Sequence, residues 1–331
     1  MNPHRTVGIL VPTDGDAPLV PPEARPIGRA ALRLAGVGID VIFGDTLKLG
    51  RMTGFRAVPR GWKPASGVAL DGVHDRYPSQ LRAAQYKNIQ DELNGLPMGN
   101  ALPFTMLARD KLATQEKLVA LGIPMPEVTD DVEAFHHHLA RWGSAFLKPR
   151  FGALGIGVSR VAPGDAMPAT IEGVVPGHPE PSILQAAVSA PKGWASRTVR
   201  VLIQRTPEGG WFQGIPVVRQ SREDPVANAA RGAEVAPGPK VLDRRCLDRI
   251  ADCVHGLCEV LDQLEESRHM VEAGVDLVLD QNHHPWLIEV NSRPRGRMEV
   301  LAAHSPSTYE DAHIDACARP IAVIAGWKTR D

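Results

Sequence analysis

The chain of 331 residues has no apolar run approaching the roughly 18 residues that a membrane span requires, which excludes a spanning helix. Its first residues lack the charged-then-apolar pattern of a secretory signal, so the expectation is a cytoplasmic protein with no membrane partner. Charge of one sign is also missing. The 37 Lys and Arg against 38 Asp and Glu leave a formal net charge of -1, which argues against nucleic acid as a partner through bulk electrostatics. Only four cysteines occur (Cys246, Cys253, Cys258 and Cys317), and none has CxxC spacing. Cys253 and Cys258 fall in a helical stretch and read as small buried hydrophobes. No internal repeat or low-complexity tract is present. No G-x-G-x-x-G follows the first apolar strand, and no Gly-Lys-Ser/Thr closes a glycine loop, so Rossmann and Walker A phosphate sites are excluded. No Ser-His-Asp or Cys-His arrangement offers a side-chain nucleophile. His136, His137 and His138 are consecutive on a helix, where neighbouring side chains diverge, so they read as surface residues.

What is present centres on Val271 to Arg297. Two apolar runs flank Gln281-Asn282-His283-His284, a polar insert suited to a hairpin loop. An even-numbered loop centred on Asn282-His283 would pair Asp280 with Pro285, Val278 with Leu287 and Asp276 with Glu289. Alternation then gathers Val275, Leu277 and Leu279 with Trp286, Ile288 and Val290 on an apolar face. The opposite face carries Asp276 across from Glu289, with Asn291 two residues on. Facing carboxylates repel unless a positive charge lies between them, and a hard divalent ion such as Mg²⁺ would serve. Two solvated acids on a wet face are the alternative.

Before this hairpin the length suffices for two or three lobes. Thr6 to Val11 reads as a buried strand, Ile27 to Leu34 as a helix and Gly38 to Phe43 as the next strand, a start that suggests a small parallel doubly wound sheet. Val58 to Ser66 reads as an edge or loop, and Gly67 to His74 as a strand ending in Asp75-Arg76, a pair placed to line a cleft or a turn. Helices are expected over Tyr86 to Leu93, Arg109 to Leu121 and Asp131 to Trp142. Ala145 to Pro149 is a strand carrying Lys148, followed by the glycine-rich Phe151 to Gly157, whose backbone amides could crowd an anion. Pro181 to Val188, Thr198 to Gln204 and Ile215 to Arg219 read as strands. Arg200, amid apolar neighbours, needs an acidic partner or a phosphate. Arg244 to Ser267 is an amphipathic helix, and Tyr309 to Ile324 contains a helix expected to pack on the last lobe.

The Asp276…Glu289-Val-Asn291-Ser-x-Pro pattern resembles the metal-binding core of the ATP-grasp ligases, nearest the YheC/YheD-like branch and the glutamate-adding ligases. The segment RDKLATQEKLVALGIPMPEV resembles the stretch that opens the ATP-grasp lobes, and Phe-Leu-Lys-Pro before the glycines resembles the phosphate flap. The resemblance implies an α/β chain with α+β lobes: a small N-terminal domain over residues 1–100, then lobes 101–186 and 187–331 that clamp ATP. It implies Asp276, Glu289 and Asn291 as ligands of Mg²⁺, with Mn²⁺ as an alternative. Lys111, Lys148, Gly152, Gly155 and Gly157 would meet the phosphates, Gln185 and Ala187 the adenine edge, and Ile183, Leu184 and Val188 the base faces. Arg219, Asn228 and Arg231 resemble an Arg-Gln…Asn-x-x-Arg-Gly block that faces the triphosphate and acceptor, with the spacing from arginine to asparagine different by about one residue, and Arg200 would stabilise the transferring group. Arg76 at a strand end, and Arg293, Arg295 and Arg297 beside the metal motif, are candidate substrate contacts, although many relatives carry a small residue where Arg293 stands. The activity implied is amide or peptide bond formation between a small carboxylate or amino acid and an amine, with a peptide acceptor open. A macrocyclase, a kinase, or a non-catalytic ATP-binding structural protein are the alternatives. Relatives commonly form homo-oligomers.

Overall fold

Branched and aromatic residues in three places build three main sheets, seen in a computed structural model that describes residues 4–20, 26–153, 155–227, 232–294 and 298–327. The first sheet runs β6-β5-β4-β1-β7-β8. Its strands are β1 (Arg5–Leu10), β4 (Ile39–Lys48), β5 (Arg51–Val58), β6 (Gly61–Ala69), β7 (Gly72–Asp75) and β8 (Met98–Gly99). A two-residue ladder, β2 (Thr13–Asp14) with β3 (Ala17–Pro18), follows β1, and α1 (Ile27–Ala35) crosses to β4. Strands β4, β1, β7 and β8 are parallel, as the β-loop-α-β start suggests. The expectation of a parallel sheet needs correction on one side, where β5 and β6 add an antiparallel hairpin. The cause is local. Leu49 and Gly50 both adopt positive φ (47° and 73°), which turns β4 directly into β5 in the twist that a two-residue hairpin favours. Gly44 and Gly54 then pass so closely that a Cβ on Gly54 would lie 2.0 Å from the Phe43 carbonyl oxygen.

After α2 (Ala83–Asp91) and β8, α4 (Lys111–Ala120) forms the helix expected over Arg109 to Leu121, and α3 (Leu102–Arg109) precedes it as a further helix that the sequence reading did not include. Asp110 separates them and caps α4, accepting from the amides of Leu112 and Ala113. The middle sheet, β11-β10-β13-β12 with β9 on β13, comprises β9 (Val128–Thr129), β10 (Ala145–Pro149), β11 (Ser159–Val161), β12 (Thr170–Glu172) and β13 (Pro179–Ala186), with α5 (Phe135–Trp142) against it. On α5, His136 and His137 are exposed, and His138 stacks on Trp142 at 5.0 Å.

The third sheet, β17-β16-β14-β18-β19 with β15 on β14, holds β14 (Ser196–Arg205), β15 (Trp211–Gln213), β16 (Val217–Ser221), β17 (Glu234–Pro237), β18 (Glu272–Leu279) and β19 (Pro285–Asn291). After the short α6 (Gly238–Val241), α7 (Arg244–Gln263) lays Ile250, Val254, Leu257 and Leu261 beneath it, against Val201, Val275 and Leu277. Such a face, alternating with polar residues above, is how one sheet side is buried and the other left for chemistry. Cys246 and Cys258 are buried in this core and Cys253 is half-buried; burial pushes the Cys253 thiol up to about 11.

The chain ends in α8 (Glu299–His304) and α9 (Pro306–Gly326). Contrary to the sequence expectation, α9 does not pack on the last lobe alone. Ile314, Cys317, Ile321 and Ile324 join Val7, Ile9, Ala30 and Phe43 in the core of the first sheet, and Arg29 and Arg33 of α1 pair with Glu310, Asp311 and Asp315. The apolar stripe of α9 thus completes the N-terminal layer from the far end of the chain.

Candidate functional site

Asp276 lies opposite Arg200 across β18 and β14, and opposite Glu289 across β18 and β19, so the three form one row over three adjacent strands. Arg200 donates through Nε and Nη2 to both oxygens of Asp276. Asn291 donates from Nδ2 to Asp276 at 2.9 Å and to Glu289 at 3.0 Å, and Arg219 Nη1 stands 4.0 Å from Asp276. The expected facing of Asp276 and Glu289 is therefore present, but the rest of the expected register is not. A bulge after Asp276 pairs Leu277 with Leu287 and Val278 with Trp286. The extra residue turns Leu287 into the core and Ile288 to the pocket beside Glu289, the reverse of simple alternation.

Burial raises the Asp276 carboxyl above its ordinary range even with Arg200 against it. Burial also opposes ionisation of Glu289, but Lys111, the hydrogen bond from Asn291, and Arg200 outweigh it and bring Glu289 down to about 2. Across the pocket, Lys148 on β10 donates to Gln185 Oε1 on β13 at 2.5 Å. Burial brings the Lys148 ammonium down to about 8, against the opposing pull of Glu289. Lys111, the first residue of α4, donates to the Gly152 carbonyl, and Arg150 pairs with the cap residue Asp110, so the glycine loop is tied at its base to α4. A Cβ on Gly157 would come within 2.5 Å of the Glu172 carbonyl at a φ of 70°, which explains that glycine.

The acidic row with Arg200 and Arg219, and Lys111, Lys148, Gly152 and Gln185 opposite, line one cavity of about 600 Å³ together with Gly155, Ala187 and Val188, whereas Gly157 does not reach it. Among the sequence candidates, Lys111, Lys148, Gly152, Gly155, Gln185, Ala187, Arg200, Arg219, Asp276, Glu289, Asn291 and Arg293 reach it. Ile183 and Leu184 do not; both are fully buried, and Phe146, Val188 and Ile288 supply the apolar walls instead. Phe146 was legible from its two-residue spacing to Lys148, and Ile288 was hidden by the bulge. Arg160, which also lines the cavity, had no signal in the sequence beyond its place after the loop. Asn228, Arg231, Arg295 and Arg297 lie outside the described residues.

Arg76 is corrected. It is buried, donating to Glu272 Oε1 at 3.1 Å and to the Pro294 carbonyl at 3.0 Å, because successive residues at the end of β7 face opposite sides. Its neighbour Asp75 is also buried, accepting from Arg293 and from the Tyr86 hydroxyl, while Arg293, which does line the cavity, also donates to Ser79 at 2.7 Å. Asn100 bonds the backbone of Val271, Glu272 and Ser292. The N-terminal layer thus grips both ends of the β18–β19 hairpin. A second concavity of about 940 Å³ outside α3 and α4 contains none of the facing acids.

The donor set suits a hard cation: two carboxylates and an amide side chain in one row, already offset by a guanidinium, with room for phosphate oxygens as further ligands. Among the described residues no cluster of three or more His, Cys, Asp or Glu is present.

Comparison with known proteins agrees with this geometry. A family profile described as YheC/D like ATP-grasp matches residues 178–312. VanG D-Ala:D-Ser ligase from Enterococcus faecalis superposes with a TM-score of 0.63 at 12% identity, covering 97% of this chain and 99% of that one. D-alanyl-alanine synthetase A from Vibrio cholerae gives 0.54 at 14% identity, covering 96% and 99%. Carboxyaminoimidazole ribonucleotide synthase from Aspergillus clavatus, solved with ATP, gives 0.56 at 15% identity, covering 88% and 71%. No curated protein matches the chain. The fold is that of the ATP-grasp superfamily. Within the chain, the similarity to the YheC/D like ATP-grasp profile is carried by residues 178–312, less than half of its length.

Proposed function

We propose that the protein is an ATP-dependent carboxylate–amine ligase that works through an acyl-phosphate and releases ADP and phosphate. The observation that carries this reading is the single cavity in which the Arg200–Asp276–Glu289–Asn291 row faces Lys148, Lys111 and the glycine loop. The neighbours in fold are named as synthetases and ligases, which supports the reaction class. Adenine fits between Phe146, Val188 and Ile288, with its edge toward Gln185 and Ala187. Lys111 and Lys148 hold the phosphates, and the loop over Gly152, Gly155 and Gly157 closes the lobes 101–186 and 187–331 on them, excluding the water that would hydrolyse an acyl-phosphate. Asp276, Glu289 and Asn291 hold Mg²⁺, or Mn²⁺ in its place, which when bound offsets the charge of the transferring phosphoryl group. Arg200 and Arg219 stabilise that group as the substrate carboxylate attacks it. The amine then displaces phosphate from the acyl carbon, and the amide remains.

Cationic side chains around the cavity outnumber the acids even when Asp75 is counted against Arg293, so an anionic carboxylate suits the space left beside a magnesium nucleotide. Arg293 is the residue placed to hold it. Among the described residues no helix is long and apolar enough to cross a membrane. The test is ADP release with Mg²⁺ across pools of amino acids, small carboxylates and amines, with mass spectrometry of products. A product mass equal to acid plus amine minus water establishes the ligase. A stable phosphorylated acid in its place would make the protein a kinase.

A further inference from the structure

Arg200 holds Asp276 by both oxygens at once, through the fork of Nε and Nη2. A carboxylate gripped in this way must give up at least one of those bonds before it can offer a lone pair to a divalent ion. The grip is built into the sheet. Arg200 and Asp276 are register partners on β14 and β18, and Asn291 adds an N–H to each carboxylate of the row. Gly274, two residues along β18, leaves the slot in which the guanidinium lies. A Cβ there would stand 3.4 Å from Cδ and Nη1 of Arg200 and 3.1 Å from Pro294. Arg219 stands 4.0 Å from the same carboxylate, close enough to crowd any further cation.

We infer that Arg200 and the divalent ion compete for Asp276, and that Arg200 yields the carboxylate only when a nucleotide phosphate draws its guanidinium away. The ion therefore joins the row together with the nucleotide and not before it. The same exchange delivers the guanidinium to the phosphoryl group, so one movement both frees the ligand and sets the electrostatic clamp. This rests on the ligase reading for the identity of the nucleotide, but not for the competition itself.

The test uses Mn²⁺ as the probe, titrated into the full chain without nucleotide, with free Mn²⁺ counted by electron paramagnetic resonance. Wild type is expected to show no binding that Glu289→Gln removes, at concentrations where Arg200→Met binds one equivalent. The gain in affinity should be about tenfold or more, reflecting the loss of a two-pronged charged hydrogen bond. Arg200→Lys keeps the charge without the fork and serves if the methionine variant fails to fold; its gain should be smaller. Adding Asp276→Asn to Arg200→Met should abolish the gain. Tight Mn²⁺ binding by wild type at the Glu289-dependent site overturns the proposal, as do equal affinities in wild type and the Arg200 variants. Calorimetry of Mg-ADP with wild type separates the two claims, since absence of nucleotide binding strikes the ligase reading and leaves the Mn²⁺ comparison standing.

Discussion

The two walls of the cavity are built in opposite ways. On one side the acidic row sits on three neighbouring strands, over a core of Val201, Val275 and Leu277, with its hairpin ends bonded to Asn100, Arg76 and Asp75 of the N-terminal layer. On the other, the loop after β10 exposes Ile156 and is anchored at its base by Arg150 to Asp110 and by Lys111 to Gly152. Charges that must meet a developing phosphoryl charge gain from a rigid frame, because no reorganisation is needed at the moment of reaction. A cover that must admit a nucleotide gains from backbone freedom and few contacts. On the proposed ligase reading, chemistry falls to the first wall and access to the second.

The largest effect is expected on the rigid wall. Glu289→Gln should lower ADP release on the order of 10³-fold while thermal unfolding stays close to wild type. Wild-type turnover in this variant would falsify the metal assignment. Lys148→Met should cost on the order of 10²-fold in ADP release and weaken Mg-ADP binding. Its pH dependence sharpens the point. The Lys148 ammonium titrates at about 8, so Mg-ADP affinity should fall as pH rises through that value, and the methionine variant should show no such fall. Stability should move the other way. Between about 8 and the ordinary value of 10.5 the unfolded chain binds the extra proton, so folding strengthens with rising pH across that window. A wild-type affinity flat to pH 10 would contradict the buried position of the lysine.

A smaller effect is expected from the covering wall. Gly157→Ala forces a side chain onto the Glu172 carbonyl at a positive φ, and should slow ADP release roughly tenfold. Unfolding in urea should show a loss of only about 1 kcal/mol, since the loop adds little to the core. If stability collapsed instead, the loop would be a structural part of the lobe. The smallest effect should come from Tyr86→Phe, which removes the hydroxyl shared by Asp75 and Arg293. A loss of about 1 kcal/mol in denaturant unfolding, with Mg-ADP affinity unchanged, is expected. A change in nucleotide affinity would show that the N-terminal grip reaches the phosphate end of the cavity.

Much of the site was legible because its signals are local. Asp276, Glu289 and Asn291 sit on one short hairpin, and Lys148 precedes its glycines directly, so spacing along the chain already implies spacing in space. The misreadings share one physical origin. A single bulge residue turns Leu287 rather than Ile288 to the core while Val290 stays there as expected, and alternation cannot reveal it. At the end of β7 the sequence offered the pair Asp75-Arg76 with Arg76 as the contact; both are buried, and only tertiary packing gave Arg76 to Glu272 and Asp75 to Arg293.

By itself, then, the sequence determined the hairpin with its facing acids, the amphipathic α7 and the lysine ahead of the glycine loop, because periodicity and turn chemistry act over a few residues. The tertiary structure decided the rest. It turned Arg200 onto Asp276, set Arg293 against Asp75 across 218 positions of chain, and brought α9 back to complete the first sheet's core. Those contacts join residues that no local pattern couples, and each is selected by the need of a buried charge or an apolar face for a partner.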